Sequence, residues 1–388
     1  MSFGEGHIGE VCMIIGLLGF GTIGAGVYEI IKERGAAEVR YVLDIREIGI
    51  PELTHNMEDI LADSEVDTVV EVMGGLHPAY EFVTAAMKAG KSVVTANKYL
   101  VATFYDELIA LAKEMGVAFR CTAAVGGGIG WLTALEKAKR AERITALEGI
   151  MNGTTNYILS NMKEKGLSFE TALSEAQALG YAEADPSADI DGLDIMHKVM
   201  LSANVAYDVS VKKEELFVAG IRTITDEDVK AFGEKGLTCK ILGSAFENDG
   251  AVAAFVQPTL LPADSMTASV PANFNLISYE AEHSGKMSFF GQGAGRYPTA
   301  ANAVQDCLDL AAGKKEFYTN ESKQIALSND KVSYRYYIRT TAKSAKALCK
   351  EPFGPGYLTE KMSVAEMQAA MVKIKAEDEK VFIAALAE

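Results

Sequence analysis

Met13-Ile-Ile-Gly-Leu-Leu-Gly-Phe-Gly-Thr-Ile-Gly24 is the stretch that decides the fold. An apolar run of strand length enters the turn Gly19-x-Gly21-x-x-Gly24. A helical stretch from about Thr22 to Lys32 follows, with Val27, Ile30 and Ile31 on one side. A second strand, Glu38 to Leu43, ends in Asp44. Glycines at these spacings let the chain turn tightly and bring unpaired helix-start amides up to a pyrophosphate. A tight turn alone would explain the glycines but not the acid that closes the next strand. The ordered set reads as a Rossmann nucleotide-binding unit, with Gly19, Phe20, Gly21, Thr22, Ile23, Gly24 and Asp44 as cofactor contacts. Asp44 favours NAD because it repels a 2'-phosphate, whereas Arg46 suits NADP, so the choice between them stays open.

Outward from this stretch the pattern repeats. Asp67–Gly75 reads as a strand ending in small residues, Pro78–Lys88 as a helix and Ser92–Thr95 as a strand leading into Ala96-Asn97-Lys98. Thr103–Lys113 is again helical and Val117–Cys121 is the next strand. Ligands sit at the carboxyl ends of such strands, which places Gly74, Gly75, Thr95, Asn97 and Lys98 at the cofactor crevice. A lysine there also has a plainer reading as a solvated cap. Ala124–Gly130 carries the chain out of the first domain. A helix near Leu132–Arg140, a strand near Ile144–Met151 and helices at Tyr157–Met162 and Ser168–Leu179 then open a second one. Between them Asn152-Gly-Thr-Thr-Asn-Tyr157 offers amide and hydroxyl groups.

Composition narrows the class. A chain of 388 residues, 49% of them hydrophobic, exceeds one ordinary core, and its 35 glycines suit a loop-rich α/β protein. A net charge of −16 without a basic tract argues against nucleic acid or an anionic membrane as partner. Cys12, Cys121, Cys239, Cys307 and Cys349 are scattered and form no C-x-x-C pair, which suggests neither a disulfide framework nor a zinc site. The leader after Met1 lacks the pattern of a secretion signal, and the Val11–Leu18 run is too short to span a bilayer, so a cytoplasmic location is expected.

The second informative stretch is Gly180-Tyr-Ala-Glu-Ala-Asp-Pro-Ser-Ala-Asp-Ile-Asp-Gly-Leu-Asp-Ile-Met-His-Lys198. Tyr181–Asp189 has no helical period and reads as a loop presenting carboxylates. From Gly192 a helix begins, with Asp194 and Lys198 one turn apart on one face. As a stability device this pair is worth only a few tenths of a kcal/mol. A carboxylate and an ammonium held together can instead bind a zwitterion and move a proton. His197 points away from that face and reads as a packing residue.

These motifs together resemble the homoserine dehydrogenase family. The resemblance rests on Ala176-x-x-x-Gly180-Tyr181-Ala182-x-x-Asp185-Pro186-x-x-Asp189-Ile190-x-Gly192-x-Asp194-x-x-x-Lys198 and on the Gly19–Gly24 turn. Val93–Lys98, Gly149–Tyr157 and Phe290–Ala300 agree as well. It covers roughly residues 12 to 325 and implies reversible NAD(P)-dependent reduction of L-aspartate 4-semialdehyde to L-homoserine, on the threonine and methionine biosynthetic route. It further implies Lys198 as the proton-transfer group, Lys98 as a second cationic group at the reacting oxygen and Asp194 as the orienting acid. Glu183 would hold the substrate ammonium, with Tyr181, Thr154 and Asp189 shaping the pocket. A homodimer or dimer-based oligomer is implied. So is a structural sodium-like cation on the backbone carbonyls of Thr122, Val125, Gly127 and Ile129.

Departures from the family pattern lie in one place. Its usual acid, hydroxyl and proline after the fifth strand are here Thr122, Ala124 and Gly130. They keep two other readings in view: a dehydrogenase of another small amino alcohol, and a catalytically weak, effector-sensing paralogue. The expected organisation is a nucleotide domain over 1–132 and an α+β substrate and dimerisation domain over 133–298. A helix returning to the nucleotide domain occupies 299–328. Residues 329–388 form a short β-α-β remainder with strands Val332–Arg339 and Val381–Ala385 around a helix Ser363–Lys373. That remainder resembles a shortened regulatory domain, for which effector binding and simple packing are the two roles.

Overall fold

The computed structural model describes residues 13–35, 37–314 and 322–387. The N-terminal leader, Cys12 and part of the polar connection after Gly313 lie outside the described residues. The chain divides into two compact units. The first holds the residues up to Glu136 and the return segment from Ala294, the second Lys137–Gly293 and the residues after 321.

The first unit alternates strands and helices: β1 (Ile14–Leu18), α1 (Thr22–Arg34), β2 (Glu38–Leu43), β3 (Leu53–Thr54), α2 (Met57–Ala62), β4 (Thr68–Glu71), α3 (Ala79–Lys88), β5 (Ser92–Thr95), α4 (Lys98–Met115) and β6 (Phe119–Arg120). All strand pairs are parallel, in the order β3-β2-β1-β4-β5-β6. The order reverses between β1 and β4, and a ligand crevice forms at such a switch point. Every residue of β1 and β4 is buried, as a sheet covered on both faces demands. Helix α4 starts earlier than the expected Thr103, because the Asn97 side chain accepts the Leu100 amide and caps it; a non-helical Phe104 marks the kink this leaves.

The helix Arg296–Ala311 completes this unit. It puts Ala300, Ala303, Val304, Cys307 and Leu310 into the same core as Ile15, Leu17, Val27 and Ile31. Its polar anchor is Arg120, which is 2% exposed. The Arg120 guanidinium donates to Asp306 at 3.0 Å and Asp309 at 3.1 Å, and Asp306 also accepts the Thr122 amide (2.9 Å) and hydroxyl (2.7 Å). Burial pushes the Asp306 carboxyl up while the Arg120 charge pulls it down.

The second unit is entered along α5 (Trp131–Ala141). It continues with β7 (Ile144–Ile150), α6 (Gly153–Lys165), α7 (Phe169–Ala178), α8 (Ser187–Ile190), α9 (Leu193–Tyr207), β8 (Val209–Ser210), β9 (Phe217–Val218) and α10 (Asp226–Glu234). Then come β10 (Leu237–Asn248), β11 (Ala251–Pro262), β12 (Phe274–Ala281) and β13 (Gly285–Gln292), before the chain leaves for the return helix, α11. After it stand β14 (Lys323–Gln324), β15 (Ser333–Arg339), β16 (Glu351–Phe353), β17 (Gly356–Leu358), β18 (Met362–Ser363), α12 (Val364–Glu377) and β19 (Phe382–Leu386). One sheet runs β13-β12-β7-β10-β11-β19-β15-β17-β16, with β9 also on β11 and β18 on β15.

Three expectations change here. The C-terminal remainder holds not two strands but five, four of them in series as β19-β15-β17-β16, continuous with the main sheet through parallel pairing of β19 with β11, and β18 on β15. Helix α6 begins at Gly153 rather than Tyr157, because Asn152 caps it by accepting the Thr155 amide at 2.8 Å. The loop Tyr181–Asp189 ends in a helical turn, α8, in which Asp185 accepts the Ser187 amide. Among the described residues no helix is long and apolar enough to cross a membrane.

Replacing Asp306 by Ala leaves the buried Arg120 guanidinium with Asp309 alone of its two carboxylates and removes the acceptor of the Thr122 amide and hydroxyl. We expect a loss of about 3–5 kcal/mol in urea unfolding, the usual cost of breaking a buried ion pair from one side.

Candidate active site

At the switch point the three glycines do different work. A Cβ on Gly24 would lie 2.0 Å from the Gly19 carbonyl oxygen, so this position allows α1 to approach the strand end. Gly19, at φ +94°, packs on Met73. Among the described residues a Cβ on Gly21 meets nothing within 4 Å, and no side chain caps α1 there. Open space above a helix start with uncapped amides fits a dinucleotide pyrophosphate. Phe20, Thr22 and Ile23 surround that space in sequence. Asp44 accepts the Phe20 amide at 2.8 Å, the Arg46 amide at 2.9 Å and two guanidinium bonds from Arg46. The Arg46 side chain, foremost, holds the Asp44 carboxyl below the usual carboxylate range.

Glu71 closes β4 and escaped the sequence reading. Fully buried, it accepts the Met73 and Gly74 amides at 2.8 and 3.3 Å and the Thr95 hydroxyl at 2.5 Å. Asn97 donates to the Gly75 carbonyl at 2.7 Å. Gly74, Gly75, Thr95 and Asn97 are therefore one hydrogen-bonded rim, and Lys98 follows in the first turn of α4. Burial pushes the Glu71 carboxyl up despite these donors. An acid set inside the apolar run Thr68-Val-Val-Glu-Val was the available signal.

In the second unit the polar residues converge on Asn152. Its side-chain amide donates to Asp189 at 2.7 Å and to Asp194 at 2.8 Å, while its carbonyl oxygen caps α6. The same Asp194 oxygen accepts Lys198 Nζ at 2.8 Å, and the Met151 carbonyl accepts it at 2.6 Å. Asp194 and Lys198 are 8% and 7% exposed, so this pair is a buried one. Burial first, and then the neighbouring Asp194 charge, raises the Asp189 carboxyl. Thr154, in the first turn of α6, donates its hydroxyl to the Tyr181 carbonyl, and Tyr181 packs edge-on against Tyr157. Glu183 stands exposed on the same loop, where Gln177 donates to its backbone carbonyl.

A buried lysine–carboxylate pair beside a carboxylate loop, in a chain that also carries a dinucleotide cradle, is the equipment of a dehydrogenase for a small zwitterion. The family profile for homoserine dehydrogenase matches residues 131–308, and that for the homoserine dehydrogenase NAD-binding domain matches residues 19–122. A homoserine dehydrogenase of Pseudomonas aeruginosa is 35% identical over 355 residues, covering 85% of this chain and 82% of its own. The chain belongs to the homoserine dehydrogenase family. The crystal structure of a homoserine dehydrogenase from Thiobacillus denitrificans superposes with a TM-score of 0.84 at 33% identity, over 97% of this chain and 98% of that one. A hyperthermophilic archaeal homoserine dehydrogenase mutant, solved in complex with NADPH, matches at TM-score 0.67 and 26% identity, over 78% of this chain and 98% of its own. As a member of the family this chain is an NAD(P)-dependent oxidoreductase that interconverts L-aspartate 4-semialdehyde and L-homoserine.

The departures from the family's pattern acquire a physical account. Thr122 directs its amide and hydroxyl to Asp306, so the place of the usual acid lies within the buried Arg120 cluster. Gly130 sits at φ +66°, which a proline, locked near −65°, cannot adopt. Gly126 and Gly127 are also at positive φ. The turn thus has its own backbone course. Of the four carbonyls expected to hold a cation, that of Thr122 accepts the Val125 amide and that of Gly127 accepts the Asn302 side chain.

The glycine roles separate experimentally. Gly21→Val should keep the melting temperature and weaken NAD(P)H binding in a fluorescence titration. Gly24→Ala should lower stability by about 1–3 kcal/mol, the usual cost of overpacking.

Proposed function

We propose that in this homoserine dehydrogenase Lys198 is the proton-transfer group and that Asp194, Asn152 and Asp189 form the frame that aims it. The supporting observation is the buried ammonium with two of its three donors committed, one to Asp194 and one to the Met151 carbonyl. The third is available to a substrate oxygen. In reduction, NAD(P)H supplies hydride to the aldehyde carbon. Lys198 stabilises the negative charge that develops on the oxygen and gives it a proton, then recovers one from solvent. In oxidation the neutral amine takes the hydroxyl proton. Asp194 keeps the ammonium in place. Glu183 supplies a carboxylate for the substrate α-ammonium, from an exposed position that leaves it room to move. Lys98, a cation in the first turn of α4, gains nothing from the helix dipole there, which supports a role at the substrate or cofactor.

Cofactor preference falls to Asp44 and Arg46. Asp44 spends both oxygens on Phe20 and Arg46, while the Arg46 side chain is 59% exposed and able to meet a 2'-phosphate. A cation on the Thr122, Val125, Gly127 and Ile129 carbonyls would have to share the Thr122 and Gly127 oxygens with their present donors. Edge strand β13 carries exposed Met287 and Phe290, which supports association of two copies on this side of the sheet.

Lys198→Ala should lower homoserine oxidation by about 10²–10⁴-fold with the Kd for cofactor unchanged; normal turnover would remove Lys198 from proton transfer. Arg46→Ala should raise KM for NADPH and leave that for NADH nearly as it was, whereas Asp44→Ala should weaken NADH more. Equal effects on the two cofactors would place selectivity elsewhere.

A further inference from the structure

The segment Gly220-Ile-Arg-Thr223, between β9 and α10, touches two things at once. On one side it grips the turn that bears Asp189. A Cβ on Gly220 would lie 2.2 Å from the Ile190 carbonyl oxygen, so the two backbones meet directly. The Ile221 amide donates to that same carbonyl at 2.7 Å. Arg222 then places two parallel bonds of 2.7 Å on the Asp191 carboxylate and a third, of 2.9 Å, on the Ser187 hydroxyl. The backbone contact, the fork and the hydroxyl bond fix the start and the end of α8.

On its other side the segment is tied to the C-terminal strands. The Thr223 hydroxyl donates to the Val381 carbonyl at 2.7 Å, and Arg339 on β15 donates to the Thr223 carbonyl. Arg339 is itself held by Asp228, which is fully buried and accepts the Tyr337 hydroxyl at 2.6 Å. The strap thus hangs from a rigid anchor of buried groups and reaches α8 with its free side.

Half-exposed, the Arg222–Asp191 pair contributes little to fold stability. A bidentate fork does fix orientation. We propose that Arg222 and Thr223 are positioning residues for substrate binding: they hold α8, and with it Asp189, at the distance from Asn152 that keeps Asp194 and Lys198 aligned, using the C-terminal strands as the fixed support. This rests on the reading of Asp189, Asp194 and Lys198 as the substrate site.

The test compares Arg222→Ala, Arg222→Lys, Thr223→Val and, as control, Arg143→Ala, which removes a surface arginine fork to Glu282. Steady-state kinetics with L-homoserine and NAD(P)+ are read beside hydrogen exchange of the 181–192 peptide in the full-length protein. Arg222→Ala should raise KM for homoserine on the order of tenfold, leave KM for the cofactor and the melting temperature unchanged, and speed exchange in that peptide. Arg222→Lys should recover part of the loss, and Thr223→Val should move the same two readouts less far. Arg143→Ala should move neither. Unchanged exchange and unchanged KM in Arg222→Ala overturn the proposal. A silent Thr223→Val overturns the part assigned to the C-terminal support. Faster exchange with unchanged KM, in an enzyme that turns homoserine over, overturns instead the placement of substrate at Asp189.

Discussion

The buried Lys198 ammonium is the constraint around which the second unit is arranged. An unpaired ammonium in a protein interior costs several kcal/mol, so the fold has to bring a carboxylate and a carbonyl to it. Helix α9 supplies Asp194 one turn away and the end of β7 supplies the Met151 carbonyl. This brings a second difficulty, because Asp189 lies beside Asp194 and like charges repel. Asn152 resolves it by donating one amide to both carboxylates while its other atom caps α6. One side chain at a strand–helix junction thus sets a helix start, a loop position and the aim of the lysine.

The nucleotide-binding unit solves a comparable problem with a different device. Glu71, a buried acid, is surrounded by amide and hydroxyl donors from the ends of two strands and fixes their spacing. Arg120 does the same for the return helix with two buried carboxylates. Both clusters are polar locks inside apolar cores, where low dielectric makes satisfied contacts firm and unsatisfied ones costly.

The parts legible in the sequence were those with short periods and local chemistry. The Gly19–Gly24 turn, the strands β1, β2 and β5 and the signature from Gly180 to Lys198 could be read because each is decided by neighbours in the chain. Asn152 was visible only as one polar residue among several, since its role depends on Asp189 and Asp194 far along the chain. The long hairpin β10–β11 and the strands β12 and β13 received no assignment. Buried on both faces for most of their length, β10 and β11 show no alternation, and register comes from partners rather than from period. The C-terminal strands β16 and β17 were missed because three residues carry too little pattern, and their pairing with β15 is what makes them strands.

Joining β19 to β11 also protects the chain from itself. Strand β11 spans Ala251–Pro262 and is apolar along most of its length, and Phe255 within it is buried against Tyr336, Ile338 and Met367 of the C-terminal segment. Shortened before Ser333, the polypeptide would bare the outer edge of β11 at Thr259–Leu260, where β19 pairs, and the apolar side chains that the C-terminal segment covers, while β9 would keep Phe255 and Val256 paired. Such an edge recruits other chains. By covering this edge the C-terminal segment removes a place where other chains could pair, so aggregation during synthesis is the expected first sign of its loss, beside any loosening of α8.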